Sequence, residues 1–210
     1  MAASPLTGTF GQALLIGLSI AAPVGPIGLL VIQRTLARGA AVGLATGLGA
    51  AVADALYGAV GAFGVTTLIR ALQAARVPLA LLGGVFLLWL AWRSWTTPPA
   101  TRSAAAADAR SLAGSFAGTF VLTLSNPATI LSFVAIFGTL GSQLDTASPW
   151  TLVAGVLAGS ALWWLLLSAA VAQLRARFDA HWQRRVNRAS ALLLAGFALW
   201  QWATLLTGGA

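Results

Sequence analysis

The sequence contains no lysine, no glutamate and no cysteine, and only 8% of its 210 residues are charged. The absence of cysteine excludes thiol chemistry and disulfide bridges. A soluble domain would carry about 25% charged residues, whereas this chain is 59% hydrophobic. The composition therefore predicts an integral membrane protein, with the lipid bilayer as its main surrounding.

Sequence motifs of enzyme chemistry are missing as well. There is no GxxxxGK(S/T) phosphate loop and no G-x-S-x-G nucleophile. His181 is the single histidine, so it has no second histidine or cysteine with which to share a metal. We therefore expect no enzyme activity, no cofactor and no metal site.

Long apolar runs fill most of the chain. A bilayer core requires about 20 residues per helix. We predict a single transmembrane transporter domain over residues 1–210, made of halves at about 1–96 and 112–210 that are joined by a linker at 97–111 rich in Pro, Ser, Thr and Ala. A five-span version stays open, because the third span is short. The six predicted spans are 9–33, 41–65, 78–95, 112–139, 150–172 and 189–207.

The net charge of +8 comes from twelve arginines against four aspartates. Such a charge can indicate nucleic-acid binding, but the arginines lie between apolar runs, which the positive-inside rule explains without a nucleic-acid partner. Three connections, counted with Arg93 at the end of the third predicted span, hold ten of the twelve arginines and are predicted to be cytoplasmic, with both termini outside. Alanine- and arginine-rich usage is typical of a GC-rich bacterial genome, so we expect a multi-pass protein of the bacterial cytoplasmic (inner) membrane. These arginines are Arg34 and Arg38, then Arg93, Arg102 and Arg110, then Arg175, Arg177, Arg184, Arg185 and Arg188.

The first predicted span is interrupted near its middle. The segment A-A-P-V-G-P-I-G at residues 21–28 places two prolines and two glycines inside an apolar run. Non-helical backbone at membrane depth persists only where protein covers it or where it lines a watery cavity. Broken helices of this kind hold the binding site in many secondary transporters, so Pro23, Gly25 and Pro26 are candidate binding residues. A tolerated proline kink is the alternative.

The fourth predicted span is interrupted in the same way, by Asn126 and Pro127. Each half of the chain then opens with a proline-broken span, and two similar halves of three spans must enter the membrane in opposite senses. The predicted fold is an all-α membrane protein with six transmembrane helices, arranged as two inverted three-helix repeats with helices one and four broken. Paired interruptions of this kind point to a transporter's binding site, which makes Asn126 and Pro127 candidates too.

Asp54 is the only acid inside a predicted span. A charged aspartate at the bilayer centre costs about 2.5–3.5 kcal/mol on insertion scales, so its side chain should face the interior of the bundle. Two roles stay open: a hydrogen-bond anchor near the first interruption, or a group that binds a cationic part of the substrate or carries a coupling proton. Tyr57, one turn away, is a candidate hydroxyl partner. The small residues along the same span allow close helix packing and would equally suit a homodimer.

These residues resemble the amino-acid exporter family named after the lysine exporter (LysE, or LysE/RhtB). The similarity rests on A-A-P-V-G-P-I-G-L-L followed by an arginine-bearing loop, on Asp54 after a glycine-rich approach, and on Asn126-Pro127 in the fourth span. It extends over nearly the whole chain, including the number of spans.

The resemblance implies that Pro23, Gly25 and Pro26 shape one re-entrant interruption and that Asn126 with Pro127 shapes the other. Asp54 would then be the polar group between the two interruptions. The family exports amino acids and related small metabolites, so the resemblance implies an amino-acid substrate and export by proton antiport. A passive channel or a metal-ion exporter is the alternative function.

Overall fold

The computed structural model describes residues 5–23, 25–63, 74–96, 109–126, 129–133, 136, 148–175 and 180–206. All regular secondary structure among these residues is helical. The predicted all-α class is therefore confirmed for this part of the chain. Its helices are α1 (Pro5–Ala21), α2 (Pro26–Arg38), α3 (Ala40–Ala62), α4 (Arg76–Thr96), α5 (Ala109–Leu124), α6 (Pro149–Arg175) and α7 (Ala180–Leu206).

Four of the described helices, α3, α4, α6 and α7, are long and apolar enough to cross a membrane. Together α1 and α2 satisfy the same criterion as one span that is bent by 78°. The predicted fourth span, 112–139, falls partly outside the described residues, and α5 alone is too short to cross. In the predicted linker, residues 97–108 also lie outside them, while 109–111 already belong to α5. The described structure thus holds four spans, or five with the bent pair.

A single residue, Gly39, joins α2 to α3. Its φ of 97° is in the left-handed region, which a residue with a side chain adopts only with strain. The sequence analysis placed Arg34 in a loop after the first span, and this placement was wrong, because α2 continues as far as Arg38. The physical reason is that a long arginine side chain can satisfy its charge while its helix remains in the bundle.

Glycine-mediated contacts hold the bundle together. Helix α6 packs against both α1 and α3, α3 also packs against α2 and α5, and α4 packs against α7. A Cβ atom at Gly43 would overlap Thr35, and one at Gly47 would overlap the Trp164 side chain, so only glycine permits these approaches. Small residues along α3 therefore serve packing inside this chain.

The outer faces of α4 and α7 are apolar. Large leucine side chains there are more than half exposed, as expected for side chains that contact lipid. They include Leu82, Leu192, Leu193 and Leu199.

Candidate functional site

The first interruption lies between α1 and α2. Gly25 is the N-cap of α2 in an extended conformation, and its N–H donates to the carbonyl oxygen of Pro23 at 2.9 Å. Pro26 begins the helix, where the missing N–H removes no helical hydrogen bond. Pro26 is buried, whereas Pro23 is exposed. The interruption thus presents the N-terminus of α2, with its free N–H groups, inside the bundle.

The second interruption follows α5, which ends at Leu124. The carbonyl oxygen of Asn126 accepts hydrogen bonds from the N–H groups of Thr129 at 3.1 Å and Ile130 at 3.2 Å. Helical structure is present again over residues 129–133. Pro127 lies outside the described residues.

A small cavity lies where the two interruptions meet. Its volume is about 10 Å³, which is room for about one water molecule. The structure thus brings Pro26 and Asn126 to one place, although Asp54 does not line it. Gln201 of α7 is a polar neighbour that the sequence analysis missed. The cavity is lined by Pro26, Ile27, Gly83, Leu87, Leu122, Ser125, Asn126, Phe197 and Gln201.

Tyr57 connects α3 to the second interruption. Its hydroxyl donates to the carbonyl oxygen of Leu124 at 2.7 Å, and its ring stacks on Phe133 with the centroids 5.5 Å apart. Leu124 is the last residue of α5, where carbonyl groups lack a helical donor. The tyrosine hydroxyl therefore satisfies a helix end and does not donate to Asp54.

Asp54 lies in the packed contact between α3 and α6, with 3% of its surface exposed. Its Oδ2 accepts a hydrogen bond from the Ser160 hydroxyl at 2.7 Å, and that hydroxyl oxygen accepts one from the Trp164 indole N–H at 3.1 Å. Within the described part of the chain, Asp54 has no ion-pair partner. The four-residue spacing between Ser160 and Trp164 in the apolar middle of α6 was the available signal for these hydrogen bonds.

Two buried serines of α6 should respond differently to the same substitution. We expect Ser160→Ala to lower the free energy of unfolding by about 1–3 kcal/mol, because Asp54 and Trp164 each lose a hydrogen-bond partner. Ser168 is equally buried, but its hydroxyl oxygen has no partner among the described residues. Ser168→Ala should leave stability unchanged or raise it. Unfolding in detergent measures both, and equal losses would contradict these hydrogen bonds of Ser160.

The pairing of α2 with α3 sets the depth of Asp54. Nη1 of Arg34 donates to Oγ1 of Thr46 at 3.1 Å, and these two residues lie almost equally far from Gly39 along the chain. If this antiparallel pairing is extended, Asp54 reaches the level of the first interruption. The carboxylate is therefore near the depth of the small cavity, but it bonds Ser160 of α6 and does not line that cavity.

A larger cavity of about 350 Å³ opens at the ends of α2 and α4 and the start of α5. Four arginines line it, Arg34, Arg38, Arg93 and Arg110, and no acid does so among the described residues. We refer to it below as the basic cavity. Sequence analysis assigned these arginines to membrane orientation only and did not predict the cavity.

Arg34 is held in place at the wall of the basic cavity. Its Nη1 donates to Oγ1 of Thr46 at 3.1 Å, to the carbonyl oxygen of Ser115 at 3.2 Å and to Oγ1 of Thr119 at 3.2 Å. These three bonds tie α2 to α3 and α5. Within the described part of the chain, the Nε and Nη2 groups make no further hydrogen bond.

Neutral polar side chains also line the basic cavity. The Ser94 hydroxyl donates to Oε1 of Gln33 at 3.0 Å, and Nε2 of Gln33 donates to Oδ1 of Asn187 at 3.4 Å. These residues come from α4, α2 and α7, and all three line the basic cavity. The cavity wall is thus a cross-linked polar surface.

Both cavities lie between the same four helices, α2, α4, α5 and α7. Leu30 and Leu90 line the basic cavity, Leu87 and Leu122 line the small cavity, and all four belong to one buried apolar cluster. This leucine layer separates an open, basic compartment from a closed compartment at the helix interruptions.

Metal binding has no support in the described part of the chain, which holds no group of three histidine, cysteine or acidic side chains able to bind an ion. Asp54 and Asn126 are the oxygen-bearing side chains near mid-membrane that were predicted as candidate site residues. The first lies in the contact of α3 with α6 and the second at the small cavity. They do not share a site.

These features define a multi-pass helical membrane protein with interrupted helices that meet at a small cavity. Many secondary transporters have interrupted helices of this kind. The chain belongs to the LysE type translocator family, whose model matches residues 18–201. It is accordingly a membrane transporter, and the resemblance drawn from its motifs is confirmed.

Several relatives are similar over most of their length. The chain is 33% identical over 175 residues to "Uncharacterized membrane protein YahN" of Escherichia coli strain K12, which covers 81% of this chain and 78% of that protein. It is 28% identical over 196 residues to "Chemotactic transduction protein ChpE" of Pseudomonas aeruginosa, covering 90% and 95%. It is 30% identical over 199 residues to "Putative amino-acid transporter YggA" of Aeromonas salmonicida, covering 90% and 92%. No solved structure shows a significant match.

Proposed function

We propose that the protein exports amino acids or closely related small metabolites across the bacterial inner membrane by proton antiport. The observation that carries this proposal is the meeting of the two helix interruptions, at Pro26 and Asn126, on one cavity. Membership of a translocator family supports transport, and the printed name of the Aeromonas salmonicida relative supports an amino-acid substrate.

The interruptions offer groups that suit an amino acid. The first-turn N–H groups of Ile27 and Gly28 lack helical acceptors and lie at the positive end of the α2 dipole, so they suit a carboxylate. Oxygen atoms of Ser125, Asn126 and Gln201 suit an ammonium group. A cavity of about 10 Å³ is too small for either, so the helices must separate to admit the substrate, as alternating access requires.

The complete transporter in this proposal has six spans in two inverted halves, with α5 and the residues after Asn126 as the second broken span. The basic cavity faces the cytoplasm, because its four arginines gather at one end of the bundle and arginine is enriched on the cytoplasmic side. Both chain termini then lie outside. Export begins at the basic cavity and passes the leucine layer.

Asp54 is the proton carrier in this proposal. An acid within the membrane that has no counter-charge is suited to gain and lose a proton. Its deprotonated form needs the Ser160 hydroxyl as a donor, so protonation changes the contact between α3 and α6. Tyr57, on the same helix, bonds the carbonyl group of Leu124 at the second interruption. A movement of α3 would therefore move the second interruption through Tyr57, and with it the wall of the small cavity.

The test is efflux from liposomes that contain the purified protein and a panel of labelled amino acids. We expect an imposed pH gradient to accelerate the efflux of at least one of them, and a protonophore to abolish the acceleration. Protein-free liposomes are the control. An efflux rate that is the same with and without the pH gradient would favour a passive channel. The absence of efflux for every amino acid would contradict the proposal.

A cavity-filling variant tests the location of the site. Ser125→Leu places a larger side chain in the small cavity and should abolish the efflux. Thr96→Leu makes a comparable change at the exposed end of α4, away from both cavities, and should not affect it. Normal transport by Ser125→Leu would rule out a path through this cavity.

A further inference from the structure

The basic cavity is not explained by the recognition of a zwitterion at the helix interruptions. We propose that it binds small solutes that carry two oxyanion groups, such as dicarboxylates and acidic amino acids, and so gives the transporter an anionic substrate class. This inference rests on the proposed function for its role in transport, but the binding itself can be measured without transport.

Charge and size point to this ligand class. Four arginines and no acid are among the described residues that line the cavity, so this described lining carries an excess of positive charge. The first turn of α5, with Arg110 and Ser111, also lines it and adds the positive end of a helix dipole. A volume of about 350 Å³ lies at the lower end of small-molecule pockets, which span about 300–1,000 Å³. The space therefore fits a small metabolite with more than one negative charge.

Two of the guanidinium groups are oriented before a ligand arrives. Arg34 is fixed by its three Nη1 hydrogen bonds, which leave Nε and Nη2 on the same planar group. Arg93 lies over the ring of Trp89, with its guanidinium carbon 5.4 Å from the centroid. Fixed guanidinium groups bind carboxylate and phosphate oxygens in pairs, with little ordering on binding. Like-charge repulsion of Arg34 by Arg38 and Arg93 is relieved when an anion enters between them.

Membrane orientation alone does not require this arrangement. Arginines that only hold a helix end at the membrane surface can lie on the outside of the bundle, as Arg184 does on α7. Arg34 instead reaches across the interior of the bundle to α3 and α5. The cavity is enclosed by four helices and lies directly beyond the leucine layer that covers the small cavity.

A cationic solute such as lysine is excluded by the same charges. Its two ammonium groups would approach four guanidinium groups without an acid in the described lining to offset the repulsion. In a neutral amino acid, only the carboxylate is attracted by the guanidinium groups. The expected order of binding is dianion first, then acidic amino acid, neutral amino acid, and lysine last.

The experiment is calorimetric titration of the protein in phosphatidylcholine nanodiscs with succinate, L-glutamate, L-alanine, L-lysine and inorganic phosphate. We expect saturable succinate binding that weakens as salt rises, and no heat of binding for L-lysine. Arg38→Gln and Arg93→Gln should each weaken succinate binding about tenfold or more, because each removes a charge-assisted contact. Arg184→Gln makes the same change at an exposed arginine outside the cavity and should have no effect.

Three results would overturn the proposal: no succinate binding, lysine binding equal to succinate binding, or an equal loss in Arg184→Gln. An anionic lipid headgroup has the same oxyanion chemistry, so a second series uses nanodiscs with phosphatidylglycerol. If succinate binds only in phosphatidylcholine and native mass spectrometry shows phosphatidylglycerol retained through Arg38 and Arg93, the site belongs to the lipid and the solute proposal fails. Succinate binding that persists in both lipids supports it.

These experiments test the anion site and the proposed exporter separately. Amino-acid efflux without succinate binding would overturn the anionic class but leave the proposed exporter in place. Succinate binding without efflux of any solute would overturn the exporter and leave the anion site in place.

Discussion

Replacing Gly159 by valine should lower the free energy of unfolding by about 3 kcal/mol or more. A Cβ atom at this position would overlap the backbone carbonyl group of Leu14 in α1. A side chain could rotate away from such an overlap, whereas a helix backbone must move as a unit. The helices α1 and α6 would separate at this contact. The end of α1 at the first interruption would then be held less firmly. Thermal unfolding in detergent measures the loss.

Gly196→Val is the matched control for this prediction. Gly196 is on the exposed side of α7, and a Cβ atom there would meet nothing within 4 Å. Its replacement should change stability by no more than about 0.5 kcal/mol, because valine is at least as good a helix former as glycine. If the two variants unfold at the same temperature, backbone contact at Gly159 does not hold α1 on α6.

The sequence revealed the interruptions because proline and glycine act locally. Pro26 fits the first position of a helix, but it lacks an N–H and would clash with a preceding helical turn. The position of the first interruption could therefore be predicted from this residue and its neighbours. The burial of Asp54 followed just as directly from the energy of a charge in an apolar surrounding. Features that depend on one residue and its solvent can be predicted from sequence.

The basic cavity could not be predicted, because it depends on where long side chains point. Arg34 and Arg93 occupy helix ends, where the positive-inside rule already accounts for an arginine. The Arg34 guanidinium points inward because α2 packs against α3 and because acceptors on α3 and α5 lie within its reach. A sequence does not distinguish an arginine that faces lipid headgroups from one that faces a cavity.

The partner of Asp54 was missed for a related reason. Ser160 lies 106 residues further along the chain, and a serine in a mostly apolar helix has many structural explanations. Trp164 packs against Gly47 and also donates a hydrogen bond to Ser160. Pairings between distant helices require the register of α3 on α6, which small residues permit but do not specify.

Asp54→Asn should abolish the response of efflux to a pH gradient, leaving the rate that is measured without one. Asparagine has nearly the same shape, and its side-chain oxygen can still accept the hydrogen bond from Ser160, so the variant should remain folded. It cannot, however, exchange a proton. Exchange of labelled for unlabelled substrate at equal pH needs no proton movement, so it should continue at the wild-type rate.

That contrast separates a coupling role for Asp54 from a structural one. A structural anchor predicts that gradient-driven efflux and substrate exchange fall together, and that Ser160→Ala reproduces the loss. A proton carrier predicts loss of the first with the second intact. Asp145→Asn is the control, because it makes the same chemical change at an acid outside the predicted spans. Gradient-driven efflux by Asp54→Asn at the wild-type rate would end the proposal of proton coupling through this residue, since no other acid lies within a predicted span.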